Sequence, residues 1–301
     1  MTSSHSSGYA MEYRLRKLSP ELHDRFTDMV AAMQYHLSRY KLLFPEFTDH
    51  SELHSLSVIN YCNLLIGGQI ERLNADELYI LLMSCYLHDS GMGITLEQYR
   101  EFSEKIDFGD YFDTHPAEDI PAAIRAFHHE FSGQFIRKYA RMFEIPSPAH
   151  IQAIVQVSRG HRVTDLMNGT EYPAELPLPG GNTACLPYLA AVIRLADEID
   201  VTSSRNPALL FDIESLFEEK SILISKTMMA VRQLETTETS FVLHIDTEDG
   251  QVLEQIGDVV RKMQKTLDYC RKTVRERTSF AITQETFRTV KERSGEKRAE
   301  G

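Results

Sequence analysis

His88-Asp89 is the pair in this chain whose residue types packing alone explains least. It ends an apolar run from Leu78 to Leu87 and is followed by Ser90-Gly91-Met92-Gly93. An imidazole and a carboxylate at the buried end of a helix are costly unless something compensates them. A divalent metal ion would do so. Further nitrogen and oxygen donors lie at wide spacing: His54, His128, His129, His161 and Asp197. Such an ion needs several donors converging from different segments. A helical bundle supplies them by turning one or two residues inward from each helix. Neighbouring helical residues point about 100° apart, so His88 and Asp89 reach one ion only where the helix unwinds, which Ser90-Gly91 permits. Mixed His/Asp ligation suits Mn, Fe, Zn, Ni or Co without selecting among them, in one ion or two.

The elements that must position these residues follow from punctuation and periodicity. Ser19-Pro20 starts a helix that the pattern carries to about Phe44, where Pro45 ends it. A second helix runs from about Glu52 to Leu73 with His54 near its start. Asn74-Ala75-Asp76-Glu77 reads as a capping box for the helix that ends in His88-Asp89. A short helix is expected over 95–106 and a loop over 108–121. A long helix over about 122–143 carries His128 and His129, and a short one over 151–158 leads to Gly160-His161-Arg162. After a Gly/Pro-rich loop at 168–182, the helix 184–199 ends in Asp197. Beyond Phe211 the character changes: 221–226 and 240–246 have strand-like composition, and 252–274 is helical again. The expectation is a mainly α protein, a helical bundle over 19–211 with a small C-terminal α+β appendage over 212–290. A polar tail over 1–18, expected to be disordered, and a charged tail over 291–301 flank them.

Composition bounds the partners. The 301 residues are 42% hydrophobic and 25% charged, ordinary for a soluble globular protein. No run approaches the ~20 apolar residues of a membrane span, and the start of the chain lacks the apolar core of a secretory signal. The four cysteines, Cys62, Cys85, Cys185 and Cys270, are far apart. They read as buried free thiols in a reducing cytoplasm, which argues against a zinc-thiolate site. A net charge of -12 does not attract nucleic acid. Residues 259–298 nevertheless carry 12 Lys/Arg against 5 Asp/Glu. That basic stretch is a solvated or internally packed face, or a contact for an anionic partner.

The order His54…His88-Asp89…Asp197, with an apolar helix before the pair and Arg194-Leu195-Ala196-Asp197 late in the domain, resembles the HD superfamily of metal-dependent phosphohydrolases. The resemblance covers roughly 43–207. His129-Glu130-Phe131-Ser132 and His161 are similar to the elements that complete a second metal site in HD members holding two ions. The segments His128 to Ile136, Gly160-His161-Arg162 and Asp197 to Arg205 look most like HD domains of bacterial conflict and defence systems. The resemblance implies His54, His88, Asp89, His129, His161 and Asp197 as metal ligands, with Asp89 the bridging and catalytic carboxylate. His128 is then a catalytic, substrate-contacting residue or a packing residue.

Arg162 and Arg205 are candidate phosphate contacts, because guanidinium pairs well with phosphate oxygens; each is otherwise a surface ion-pair partner. Arg194, three residues before Asp197, is placed to brace a carboxylate. Tyr111 and Phe112 either cover the site or pack. His23, His36, His50, His115, His150 and His244 read as structural or surface residues; His50, one turn before His54, comes nearest to an exception. The implied activity is hydrolysis of a nucleotide or related small phosphate ester by a metal-activated water. The alternatives are a metal-dependent nuclease guided by the basic helix, and a non-catalytic HD module that senses a ligand or binds a partner. No phosphate-binding GxxxxGK[ST] loop and no GxSxG elbow competes. A small phosphorylated substrate is the expected partner, and a second copy of the chain is a candidate one whose presence the sequence does not fix; a nucleic acid is possible but not favoured and a membrane is not expected.

Overall fold

The computed structural model describes residues 10–45, 50–162, 164–202 and 219–292. Its axis is α4 (Ala75–Leu87), in which every residue from Asp76 onward is buried. A helix apolar on all sides must be surrounded, and this one is. Packed on it are α1 (Ala10–Leu18), α2 (Pro20–Leu37), α3 (Glu52–Ile66), α8 (Pro148–Arg159) and α9 (Leu186–Glu198). The start of α4 is fixed as its sequence requires: the Asn74 side chain accepts from Glu77 N, and Glu77 accepts from Asn74 N.

Around this axis, α5 (Leu96–Ser103) and the single turn α6 (Tyr111–Thr114) lead into α7 (Ile120–Tyr139). Two short antiparallel strands, β1 (Leu176–Pro177) and β2 (Thr183–Ala184), precede α9. The C-terminal part contains α10 (Glu219–Ala230), β3 (Val231–Thr236), β4 (Ser240–Ile245), α11 (Gly250–Arg277) and β5 (Thr286–Lys291). β4 is central, antiparallel to β3 and parallel to β5. One hydrophobic core runs from the bundle into this part, because α11 lies along α9 and buries Leu267, Cys270 and Val274. The ring of Phe280 stacks on Tyr188 of α9 at 4.0 Å. No helix among the described residues is long and apolar enough to cross a membrane.

Several expectations are corrected. Residues 10–18 of the expected tail form α1, with Met11 and Leu15 fully buried and Met11 N donating to Asn63 Oδ1 at 2.9 Å. That apolar stripe, two residues at i, i+4, is too short to stand out from sequence. Residues 1–9 and 293–301 lie outside the described residues. Residues 221–226, read as a strand, belong to α10. Their alternation suits a strand, but Leu223 and Thr227 are one helical turn apart, and Thr227 Oγ1 donates to Leu223 O at 2.7 Å. Packing against α11 decides in favour of the helix. The first long helix stops at Leu37 and continues as a 3-10 turn, Ser38–Leu42.

Candidate metal centre

Each candidate ligand sits where a helix starts, stops or breaks. His54 is in the first turn of α3, after the Ser51 cap. His88 is the C-cap of α4, one residue past its end, and Asp89 (φ -102°, ψ 8°) leaves helical geometry before the 3-10 turn Ser90–Gly93. His128 follows a kink in α7 at Phe127 (φ -114°, ψ 18°). His161 lies just past the end of α8, and Asp197 is in the last turn of α9. Glycine is required after the pair: a Cβ at Gly91 would overlap His128 O and Ser132 N. That close approach lets Ser132 Oγ donate to His88 O at 2.6 Å and accept from Gly91 N at 2.8 Å. On the other side His36 Nε2 donates to Ser90 O at 2.8 Å. The turn carrying the pair is therefore held by α7 and α2 together.

These elements bring the side chains into two groups that share Asp89. In the first, His54 Nε2 is 3.3 Å from His88 Nε2 and 3.2 Å from Asp197 Oδ1. His88 Nε2 is 3.9 Å from the same oxygen, and Asp89 Oδ2 lies 3.7 Å from His54 and 3.4 Å from His88. In the second, His128 Nε2 and His161 Nε2 are 2.9 Å apart, and Asp89 Oδ1 is 3.4 Å and 3.7 Å from them. Two donors about 2.1 Å from one ion at the tetrahedral angle stand about 3.4 Å apart, so these edges have the size a first-row metal needs.

The imidazoles are oriented for that role. His88 Nδ1 donates to Cys85 O at 3.0 Å, His128 Nδ1 to Arg125 O at 2.8 Å and His161 Nδ1 to Ser158 O at 2.5 Å. In all three the acceptor is the carbonyl three residues back, at the end of a helix or beside a kink. A carbonyl only accepts, so Nδ1 carries a proton; in the neutral rings of His128 and His161 Nε2 then presents a lone pair to the centre, and His88 would do so once a metal displaced its second proton.

Burial alone would push His88 down, but the carboxylates of Asp89 and Asp197 outweigh it and raise its pKa to about 9. Burial lowers His128 to about 4, against the pull of Asp89 and with Arg162 adding to the effect. Burial and then His88 and His128 hold His161 well below its ordinary value. Burial works against ionised Asp89, yet His88 and His50 hold its carboxyl well below the usual range; Asp197 is held down in the same way by its hydrogen bond to His54. His128 and His161 are thus neutral at neutral pH, with two lone pairs facing across 2.9 Å. A cation between them relieves that repulsion, so the donor set fits a metal.

The structure brings together His54, His88, Asp89, His161 and Asp197 from the expected set, and it brings His128 rather than His129. The kink at Phe127 decides between the neighbours by turning His128 inward. His129 Nε2 lies 3.6 Å from Glu130, and its Nδ1 is buried without a hydrogen-bond partner among the described residues. Burial, His128 and Arg159 lower its pKa to about 3. His50, read as structural, reaches the centre: its Nδ1 is 2.8 Å from Asp89 Oδ2. Arg162 is exposed next to His161, and Arg205 lies outside the described residues. Among the described residues Arg194 braces no carboxylate; its guanidinium donates to Gly160 O at 2.6 Å and Thr164 O at 2.7 Å, carbonyls on either side of His161. Sequence reasoning also missed Asp200, whose Oδ2 accepts from His54 Nδ1 at 2.7 Å. Its signal was present, as an acid one turn after Asp197.

A helical bundle that closes overlapping His/Asp groups around Asp89 and Asp197 has the layout of an HD-type metal-binding domain. A sequence model of the HD-CE family matches residues 44–279, and the chain belongs to that family. The matched span runs through α10, β3, β4 and all of α11, so the family unit includes most of the C-terminal part. No curated protein and no solved structure gives a match.

Proposed function

We propose that this chain is a metal-dependent phosphohydrolase or phosphodiesterase acting on a nucleotide or a related small phosphate ester. One observation carries the reading: the two oxygens of Asp89 face two separate ligand groups, so that this carboxylate would be able to serve a metal in either. Divalent ions held there supply Lewis acidity toward a phosphate oxygen and a hydroxide-like nucleophile from water at neutral pH. The chain's own residues do the rest. His54, His88 and Asp197 hold one side, and His128 and His161 the other. Burial of the four imidazoles keeps bulk water from competing for their lone pairs. Arg162, exposed beside His161, is free to meet a phosphate oxygen. Which ion is bound, manganese included, belongs to the test.

A small substrate is favoured over a nucleic-acid strand by the way the basic segment spends its charge. Lys262 pairs with Glu198 at 2.9 Å, Arg271 with Glu285 at 2.6 Å and Lys291 with Glu248 at 2.7 Å, while Arg277 donates to Tyr172 O at 2.8 Å. The test is metal analysis of the purified chain followed by hydrolysis of a nucleotide panel with added Mn²⁺. Turnover lost in folded His88→Ala and Asp89→Ala supports the proposal. Equal turnover in wild type and both variants defeats it, and nucleotide binding without product assigns the chain to ligand sensing instead.

A further inference from the structure

We infer that Asp200 is the positioning residue of His54, setting the ring's tautomer and aim and through them the tightness with which the centre holds a metal. This rests on reading the cluster as a metal centre. Three of its imidazoles use a backbone carbonyl three residues back. His54 does not. It lies at a helix start, and its Nδ1 is directed at a side chain instead of at Ser51 O, which accepts from Ser55 N at 3.3 Å. Asp200 takes the place of that carbonyl. Its Oδ2 accepts from His54 Nδ1 at 2.7 Å, and its Oδ1 accepts from Ser57 Oγ at 2.8 Å.

The arrangement is a clamp. Asp197 and Asp200 are three residues apart on one turn at the end of α9, joined by Asp200 N donating to Asp197 O at 3.3 Å. They meet the two nitrogens of one ring, Asp197 on Nε2 at 3.2 Å and Asp200 on Nδ1 at 2.7 Å. Asp200 is 1% exposed, so a carboxylate there must have a specific partner for each oxygen, and it has both. Histidine ligands commonly donate their outer N–H to a carboxylate, which fixes the tautomer and raises ligand basicity. His54 is the one imidazole of the two groups whose anchor carries a full charge.

The test uses the full chain. Long-range ¹H–¹⁵N spectra of the metal-free protein report the His54 tautomer, and calorimetric titration with Mn²⁺ reports affinity. Wild type is expected to hold the proton on Nδ1. Asp200→Ala should lose that preference and weaken Mn²⁺ binding about 10–100-fold, whereas Asp200→Asn, which keeps an acceptor, should restore the tautomer and most of the affinity. If Asp200→Ala does not fold, Asp200→Leu combined with Ser57→Ala keeps the volume without an orphaned hydroxyl and reads the same two signals. An unchanged tautomer and an affinity within twofold of wild type in a folded variant overturn the inference, as does a wild type that takes up no Mn²⁺. A wild type that binds Mn²⁺ but hydrolyses nothing defeats the hydrolase reading and leaves this one standing.

Discussion

At the scale of single residues, the centre depends on which ring nitrogen points where. His128 and His129 are adjacent, equally polar and both largely buried, yet the kink at Phe127 sends only the first toward Asp89. The consequence is measurable. His128→Ala removes a donor from the second group and is expected to cost about tenfold or more in Mn²⁺ affinity there, while His129→Ala leaves uptake unchanged. Calorimetric titration of both variants decides it, and the reverse order would refute the geometry. His50 is a second case in which the tertiary environment sets the role, since its 2.8 Å contact with Asp89 comes from the chain entering α3, one turn before His54.

At the scale of elements, what matters is how helix ends are joined. The start of α4 is tied to the start of α8 by a buried relay. Ser147 Oγ lies 2.8 Å from His150 Nδ1, His150 Nε2 lies 2.9 Å from Asp76 Oδ1, and Asn182 Nδ2 donates to Asp76 Oδ2 at 2.7 Å. The hydrogen bond from His150 holds the Asp76 carboxyl below its ordinary value, assisted by Asn182 and opposed by burial. A carboxyl whose folded pKa is depressed adds stability above its unfolded pKa and loses it as pH falls through the folded value. Ionised Asp76 therefore stabilises the fold above about pH 4, and that contribution disappears on acidification below it. In urea unfolding across pH 2.5 to 7, the gap between wild type and Asp76→Asn is expected to narrow below about pH 4. A constant gap would show that the relay contributes no pH-dependent stability.

At the scale of the whole molecule, the C-terminal helix is part of the centre's support. Tyr269 of α11 accepts from Leu166 N at 2.7 Å and donates to Asp165 Oδ1 at 3.0 Å, and its ring lies under the Arg194 guanidinium at 5.2 Å. Arg194 in turn grips Gly160 O and Thr164 O on either side of His161. One continuous set of contacts thus runs from α11 to a ligand of the second group. Tyr269→Phe removes only the hydroxyl, leaves Leu166 N without its acceptor and is expected to cost about 1–3 kcal/mol of stability. Loosening this brace should also weaken Mn²⁺ binding at His161. Chemical denaturation and the same titration read both, and a variant with neither effect would make α11 a bystander.

Much of this molecule could be read from its order of residues. The capping box at Asn74 and Glu77, the apolar α4 that must be enclosed, and the set His54, His88-Asp89, His161, Asp197 are local patterns, each carried by a short segment with its own periodicity or chemistry. The choice of His128 over His129, the reach of His50 to Asp89, the anchoring of His54 by Asp200 and the helical state of α10 depend on contacts between segments as much as 146 residues apart. Periodicity records which face of an element is apolar. A ring's orientation is set by which buried carbonyl or carboxylate stands within reach of its outer nitrogen, and only the folded chain determines that.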